Sequence, residues 1–182
     1  ALSISINALG NTTICINKSR TLSLVGYAST ANTYQWSDVN GIIAGATSST
    51  YSVTSTGTYS LTETSPNGCI TISNGISITV LSTAVPSSLF TSNIELDKAT
   101  MNWASVLNAH KYHIRMRVQG GAWSVFINNI PSSFTSKQKA NLQSASTYEW
   151  SIRSACSSDT SSSSAWSSVQ SFTTLTPCTV PN

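Results

Sequence analysis

The stretch "KYHIRMRV", residues 111–118, alternates with a period of two. Tyr112, Ile114, Met116 and Val118 fall on one side, and Lys111, His113, Arg115 and Arg117 on the other. Successive side chains of a strand point to opposite faces, so the pattern describes a strand with one apolar and one cationic face. The same period recurs in both directions along the chain. "TYEWSIRS" (147–154) alternates Tyr148, Trp150 and Ile152, and "ATMNWASV" (99–106) alternates Met101 and Trp103. "AWSVFIN" (122–128) follows a Gly120-Gly121 turn, and "VQSFTT" (169–174) closes the series. The window "SKQKANLQSAS" (136–146) lacks a sustained apolar stripe and reads as strand plus loop.

The first half repeats the theme. "LSISINA" (2–8), "TLSL" (21–24), "TYQW" (33–36), "STYSV" (49–53), "GTYSL" (57–61) and "GISITV" (75–80) each alternate. Asn40-Gly41, Asn67-Gly68 and Asn74-Gly75 supply the positive φ that tight turns need. Between the halves, "LSTAVPSSLF" (81–90) breaks the pattern with small residues and Pro86. The expectation is an all-β chain of two consecutive seven-stranded sandwiches: residues 1–81, residues 82–177, and a short segment 178–182 opening a linker. "TAVPSS" (83–88) and "CTVPN" (178–182) share a Val-Pro pair after a final strand, so Val180-Pro181 is expected to open a further module.

Composition narrows the function. Only 8% of the 182 residues are charged while 40% are hydrophobic, which allows a packed core under a hydroxyl-rich surface. The net charge of +3 arises in the second half, where seven Lys and Arg face four acids. That density falls short of a nucleic-acid face. No run reaches the ~20 apolar residues of a membrane span, so no membrane insertion is expected. Four cysteines, none in a CxxC pair, suit an oxidising compartment, and two histidines give a metal little to bind.

Chemistry is equally sparse. Six acids are poor stock for a glycosidase, and no GxSxG, HExxH, P-loop or dinucleotide fingerprint occurs. Glu95 and Asp97 read as solvated turn acids, and His110 and His113 as surface histidines. No catalytic residue, metal or cofactor is expected. Asn11-Thr-Thr and Asn17-Lys-Ser fit the N-glycosylation pattern but read as polar strand-edge residues.

Residues 82–177 resemble a fibronectin type III module, through Pro86, Trp103, Tyr112 and the Leu142–Tyr148 spacing of a tyrosine corner. Residues 1–81 resemble a bacterial immunoglobulin-like module, through Cys15, "YQW", "GATSSTYSV", "TGTYSL" and "NGC". Such modules occur in large secreted or surface proteins of gliding, polysaccharide-degrading bacteria. The resemblance implies that Trp36 fills the strand C tryptophan position and Tyr59 the corner. Leu61 stands where antibody domains carry a core cysteine. The structural core is therefore expected to contain Trp36, Tyr59, Trp103, Tyr112, Leu142, Tyr148 and Trp150. With the core disulfide absent, Cys15–Cys69 is expected to clip one end of the first module. Cys156–Cys178 is expected to pin the exit linker to the second, although four cysteines allow three connectivities.

Trp123 and Trp166 do not share core parity. "SAWSS" (164–168) is similar to the Trp-Ser motif of cytokine-receptor modules, in which tryptophan and arginine planes interleave. Trp123 and Trp166, with Arg115, Arg117 and Arg153, form either such a ladder or a contact surface for a glycan or protein. The leading function is a monomeric, non-catalytic spacer or adhesion segment of a secreted or cell-surface bacterial protein. The alternative is a carbohydrate-binding accessory module attached to a polysaccharide hydrolase. The partner is an unknown protein or glycan surface.

Overall fold

A computed structural model describes residues 3–26, 28–157 and 162–178, and at residues 125, 126 and 128 the backbone alone. The chain divides into two compact units, Ala1–Leu81 and Ser82–Asn182. The Val180-Pro181 pair lies outside the described residues.

The first unit has two sheets. In one, β1 (Ile6–Ala8), β3 (Arg20–Leu24) and β6 (Thr50–Val53) pair in the order β1-β3-β6. The other contains β2 (Thr13–Cys15), β4 (Thr33–Asp38), β5 (Gly41–Ile42), β7 (Gly57–Thr64), β8 (Ile70–Ile72) and β9 (Ile76–Leu81), in the order β2-β9-β7-β4-β5, with β8 on the far half of β7. Among the described residues, nine strands therefore replace the expected seven, because the first and last strands are each broken in two. The last break falls at Asn74. Its side-chain Oδ1 accepts the Ile6 N–H at 2.9 Å and its Nδ2 donates to the Ile6 carbonyl at 3.3 Å, tying one sheet to the other.

Trp36 and Leu61 face each other in register on β4 and β7, both fully buried. Leu22, Val53, Tyr59 and Ile78 pack around them. Trp36 meets its polar requirement by donating Nε1–H to the Ser48 carbonyl at 2.8 Å. Tyr59 donates its hydroxyl to the Ser55 carbonyl at 2.9 Å.

The second unit places β10 (Phe90–Ser92), β11 (Ala99–Asn102) and β14 (Ser136–Lys139) in one sheet. The other runs β13-β12-β15-β16, from β12 (Lys111–Val118), β13 (Ser124–Pro131), β15 (Thr147–Ala155) and β16 (Gln170–Thr173). Its core holds Met101, Trp103, Tyr112, Ile114, Leu142, Tyr148, Trp150 and Ile152. The Tyr148 hydroxyl accepts the Gln143 N–H at 2.8 Å, beside Leu142, and the Tyr112 hydroxyl accepts the Val106 N–H at 2.9 Å.

Both expected cysteine pairings are overturned. Cys69 and Cys178 carry free, exposed thiols, while Cys15 and Cys156 are disulfide-bonded. Sheet geometry gives the reason. Cys15 is level with Leu81 at one end of β9, whereas the Cys69 carbonyl accepts from Ser65, past the opposite end of β7. The path between them along β9 and β7 is about 35 Å at ~3.3 Å per residue. Likewise Cys156 follows Ala155 at one end of β15, while Cys178 lies past Thr174, which bonds Ser146 at the other end. That separation is about 30 Å along β15. A disulfide requires Cα atoms within about 7 Å. Neighbouring strands are not enough when the two cysteines sit at opposite ends. Cys178 therefore does not pin the exit segment to the second unit.

Candidate functional site

The cationic face of β12 is the outer face of the second unit's four-stranded sheet. Arg115 and Arg117 point outward from β12, and across the register Arg117 lies opposite Glu149 while His113 lies opposite Arg153. The three guanidinium groups thus share one face with Glu149 and Ser151.

Two indoles interleave with them. The Arg115 Cζ sits 4.3 Å from the Trp123 ring centroid and 4.6 Å from that of Trp166. Arg117 lies 4.3 Å from Trp123, and Arg153 lies 4.6 Å from Trp166. Each indole is thus shared by two guanidinium groups, in the order Arg117–Trp123–Arg115–Trp166–Arg153.

Local pairing explains how each tryptophan arrives. Trp123 follows the turn at Gly120, whose φ of +78° is left-handed. Trp166 rides on a segment docked against β15. Ser164 N–H donates to the Ser154 carbonyl and Ser167 N–H to the Ile152 carbonyl, each at 2.8 Å. In return the Ser164 and Ser167 hydroxyls accept the Ser154 and Ile152 N–H groups at 3.1 Å. The serines complete a ladder that the backbone alone leaves irregular, and Ala165-Trp166 arches between them. The sequence reading singled out "SAWSS" by resemblance and did not assign these hydroxyls.

Polar contacts lock the cations. Arg117 Nε lies 2.6 Å from Glu149 Oε2, with the side chains 26% and 17% exposed, and an Nη donates to the Gly121 carbonyl at 3.2 Å. Arg115 Nε donates to Ser151 Oγ at 2.7 Å. Burial, then the charges of Arg117 and Arg153, lowers the Arg115 pKa from its ordinary value. The cation–π faces oppose that penalty. Beneath this roof Ser151 is fully buried.

His113 corrects an expectation. Its outward parity holds, yet it is fully buried and not a surface histidine, because the outer face of the sheet is covered there. Lys111, on the same parity, is buried as well. Glu95 forms an ion pair with Lys98 at 3.0 Å. Among the described residues no group of three or more His, Cys, Asp or Glu side chains could hold a metal ion.

No protein-family model matches the chain, and no curated protein matches it either. Solved structures do. Consecutive domains from titin align with a TM-score of 0.60 at 12% identity, over 96% of this chain and 67% of that one. A segment of two fibronectin type III domains from chicken tenascin aligns at 0.46 and 15% identity, over 93% and 98% of the respective chains. At such identities the likeness speaks to fold. The chain is all-β, an immunoglobulin-like sandwich followed by a fibronectin type III sandwich.

Proposed function

We propose that this chain is a non-catalytic spacer or adhesion segment of a secreted or cell-surface multidomain protein. The observation that carries the reading is the closed ladder. Sugar rings stack on a free aromatic face, and Trp123 and Trp166 are each already engaged by two guanidinium groups. The indoles act instead as braces that hold β12, β13 and β15 to the segment carrying Trp166. A braced sheet suits a module that transmits position or load rather than one that turns over substrate. Disulfide-bonded Cys15 and Cys156 support an oxidising, extracytoplasmic setting. The bacterial setting rests on the sequence resemblance of residues 1–81.

Retention on insoluble cellulose, chitin and xylan tests this against the carbohydrate-binding alternative. Wild type, Trp123→Ala and Trp166→Ala are expected to pass through all three polymers alike. Retention of wild type that disappears on either tryptophan change would transfer the assignment to a carbohydrate-binding module.

A further inference from the structure

In the first unit β8 (Ile70–Ile72) is an edge strand, and among the described residues it pairs with β7 alone. In an antiparallel pair every second residue turns its backbone groups toward the neighbour. Ser73 N–H donates to the Leu61 carbonyl and the Cys69 carbonyl accepts from Ser65, each at 2.9 Å. Residues 69, 71 and 73 therefore face β7, and Ile70 and Ile72 direct their N–H and C=O groups to the open edge. Their side chains are 68% and 64% exposed, level with Thr64 and Thr62 on the outer face of the sheet. Apolar side chains and outward backbone groups thus coincide on one short strand.

Nothing on this edge repels a partner strand. Edges are commonly guarded by a charge or a proline, and β14, at the edge of a sheet in the second unit, carries Lys137 and Lys139. The stretch Cys69-Ile70-Thr71-Ile72-Ser73 has neither, and Thr62 and Thr64 beside it are neutral. It also reads nearly alike in both directions about Thr71, with isoleucine on each side and a small residue beyond. Pairing about a twofold axis needs that symmetry, because the same patch must serve on both copies.

We propose that β8 is a homophilic contact, pairing antiparallel with β8 of a second copy about a twofold axis through Thr71. The inference rests on the adhesion half of the proposed function and names its partner. Ile70 then lies opposite Ile72 of the second copy, their open backbone groups bond one another, and the isoleucines of both copies cover each other on the outer face. A foreign strand would have to bring its own apolar pair in matching register, whereas this chain already holds both halves. The contact falls below the ~1,000 Å² of a stable specific interface, so a single pair is weak and the chain is a monomer when dilute. Many copies on facing surfaces would gain strength through multivalency.

Sedimentation equilibrium of the whole chain, from about 0.02 to about 2 mM, tests this. The mean mass is expected to rise from monomer toward dimer with a dissociation constant of about 0.1–1 mM. Ile72→Lys, which sets like charges on one face of the joined edge, should weaken association at least about tenfold with an unchanged thermal midpoint. Mild oxidation reads the register, with Cys178→Ser in every chain compared. Cys69→Ser/Thr71→Cys brings the new thiols together at a non-hydrogen-bonded pair, with Cα atoms about 4.5 Å apart. Exposed Cys69 lies about 13 Å along the strand from its own counterpart, out of disulfide reach. The chain with cysteine at 71 should therefore cross-link at least about tenfold faster than the chain that keeps Cys69. A mean mass that stays monomeric to about 2 mM would leave the edge to some other strand and overturn the proposal. Undiminished association of Ile72→Lys, or equal cross-linking at 69 and 71, would overturn it as well. Retention on neutral polymers is independent of all three, so the spacer reading stands or falls separately.

Discussion

The Arg115 guanidinium lies 4.3 Å from the Trp123 ring centroid while its Nε donates to Ser151 at 2.7 Å. One side chain therefore joins β12 to β15 through its edge and stacks through its faces. Lysine carries the same charge but has neither the plane nor the fork. Arg115→Lys is expected to destabilise the second unit by about 1–3 kcal/mol, from two weakened cation–π contacts and one lost hydrogen bond. Urea unfolding followed by tryptophan fluorescence checks this. A change within error would mean the stacking carries no stability.

Asn74 is expected to matter more than its position in an Asn-Gly turn suggests. Its amide supplies both an acceptor and a donor to the backbone of buried Ile6. Asn74→Ala leaves that N–H and carbonyl without partners and should cost about 1–3 kcal/mol. Asn74→Asp keeps the acceptor but sets a carboxylate against the Ile6 carbonyl, so it should fall no closer to wild type than halfway. Thermal melts of the two variants separate these cases.

Tyr59 gives a pH-dependent prediction. Burial, then the neighbouring Tyr51 and Asp38, raises the Tyr59 pKa above its ordinary value. In the unfolded chain a tyrosine ionises near pH 10. Above that pH the folded state holds a proton that the unfolded state has released, so stability falls as pH rises. At neutral pH the contribution is complete, and Tyr59→Phe should cost about 1 kcal/mol through the lost bond to Ser55. The gap between wild type and Tyr59→Phe should narrow from about pH 10 upward. A gap that stays constant through that range would contradict the assignment.

The thiols offer a covalent check. Alkylation of the unreduced, denatured chain followed by peptide mapping should label Cys69 and Cys178 and leave Cys15 and Cys156 unlabelled. Protection of Cys69 or Cys178 would restore one of the end-clip pairings and contradict the strand geometry.

Strand parity was the part of the fold most legible in the sequence. Tyr112, Ile114 and Met116 alternate with Arg115 and Arg117, and burial follows that alternation wherever the outer face meets solvent. Parity names a side of the sheet but not what lies over it, so outward-facing His113 and Lys111 were not legible as buried residues. Adjacency of strands says nothing about which end a residue occupies, and the cysteine pairings failed for that reason. Ser164, Ser167 and Asn74 were hidden differently. A hydroxyl or amide standing in for a ladder partner leaves no periodic trace, because its partner is backbone and can be any residue type.

The central claim is that Trp123 and Trp166 are braces within the fold rather than a platform for ligands. A double-mutant cycle on unfolding free energy, with Arg115→Ala, Trp166→Ala and the pair, measures it most directly. A coupling of about 0.5–2 kcal/mol is the expected result, the range of a cation–π contact freed from bulk water. Strict additivity of the two changes would mean the indole and the guanidinium do not support each other, and would contradict the account.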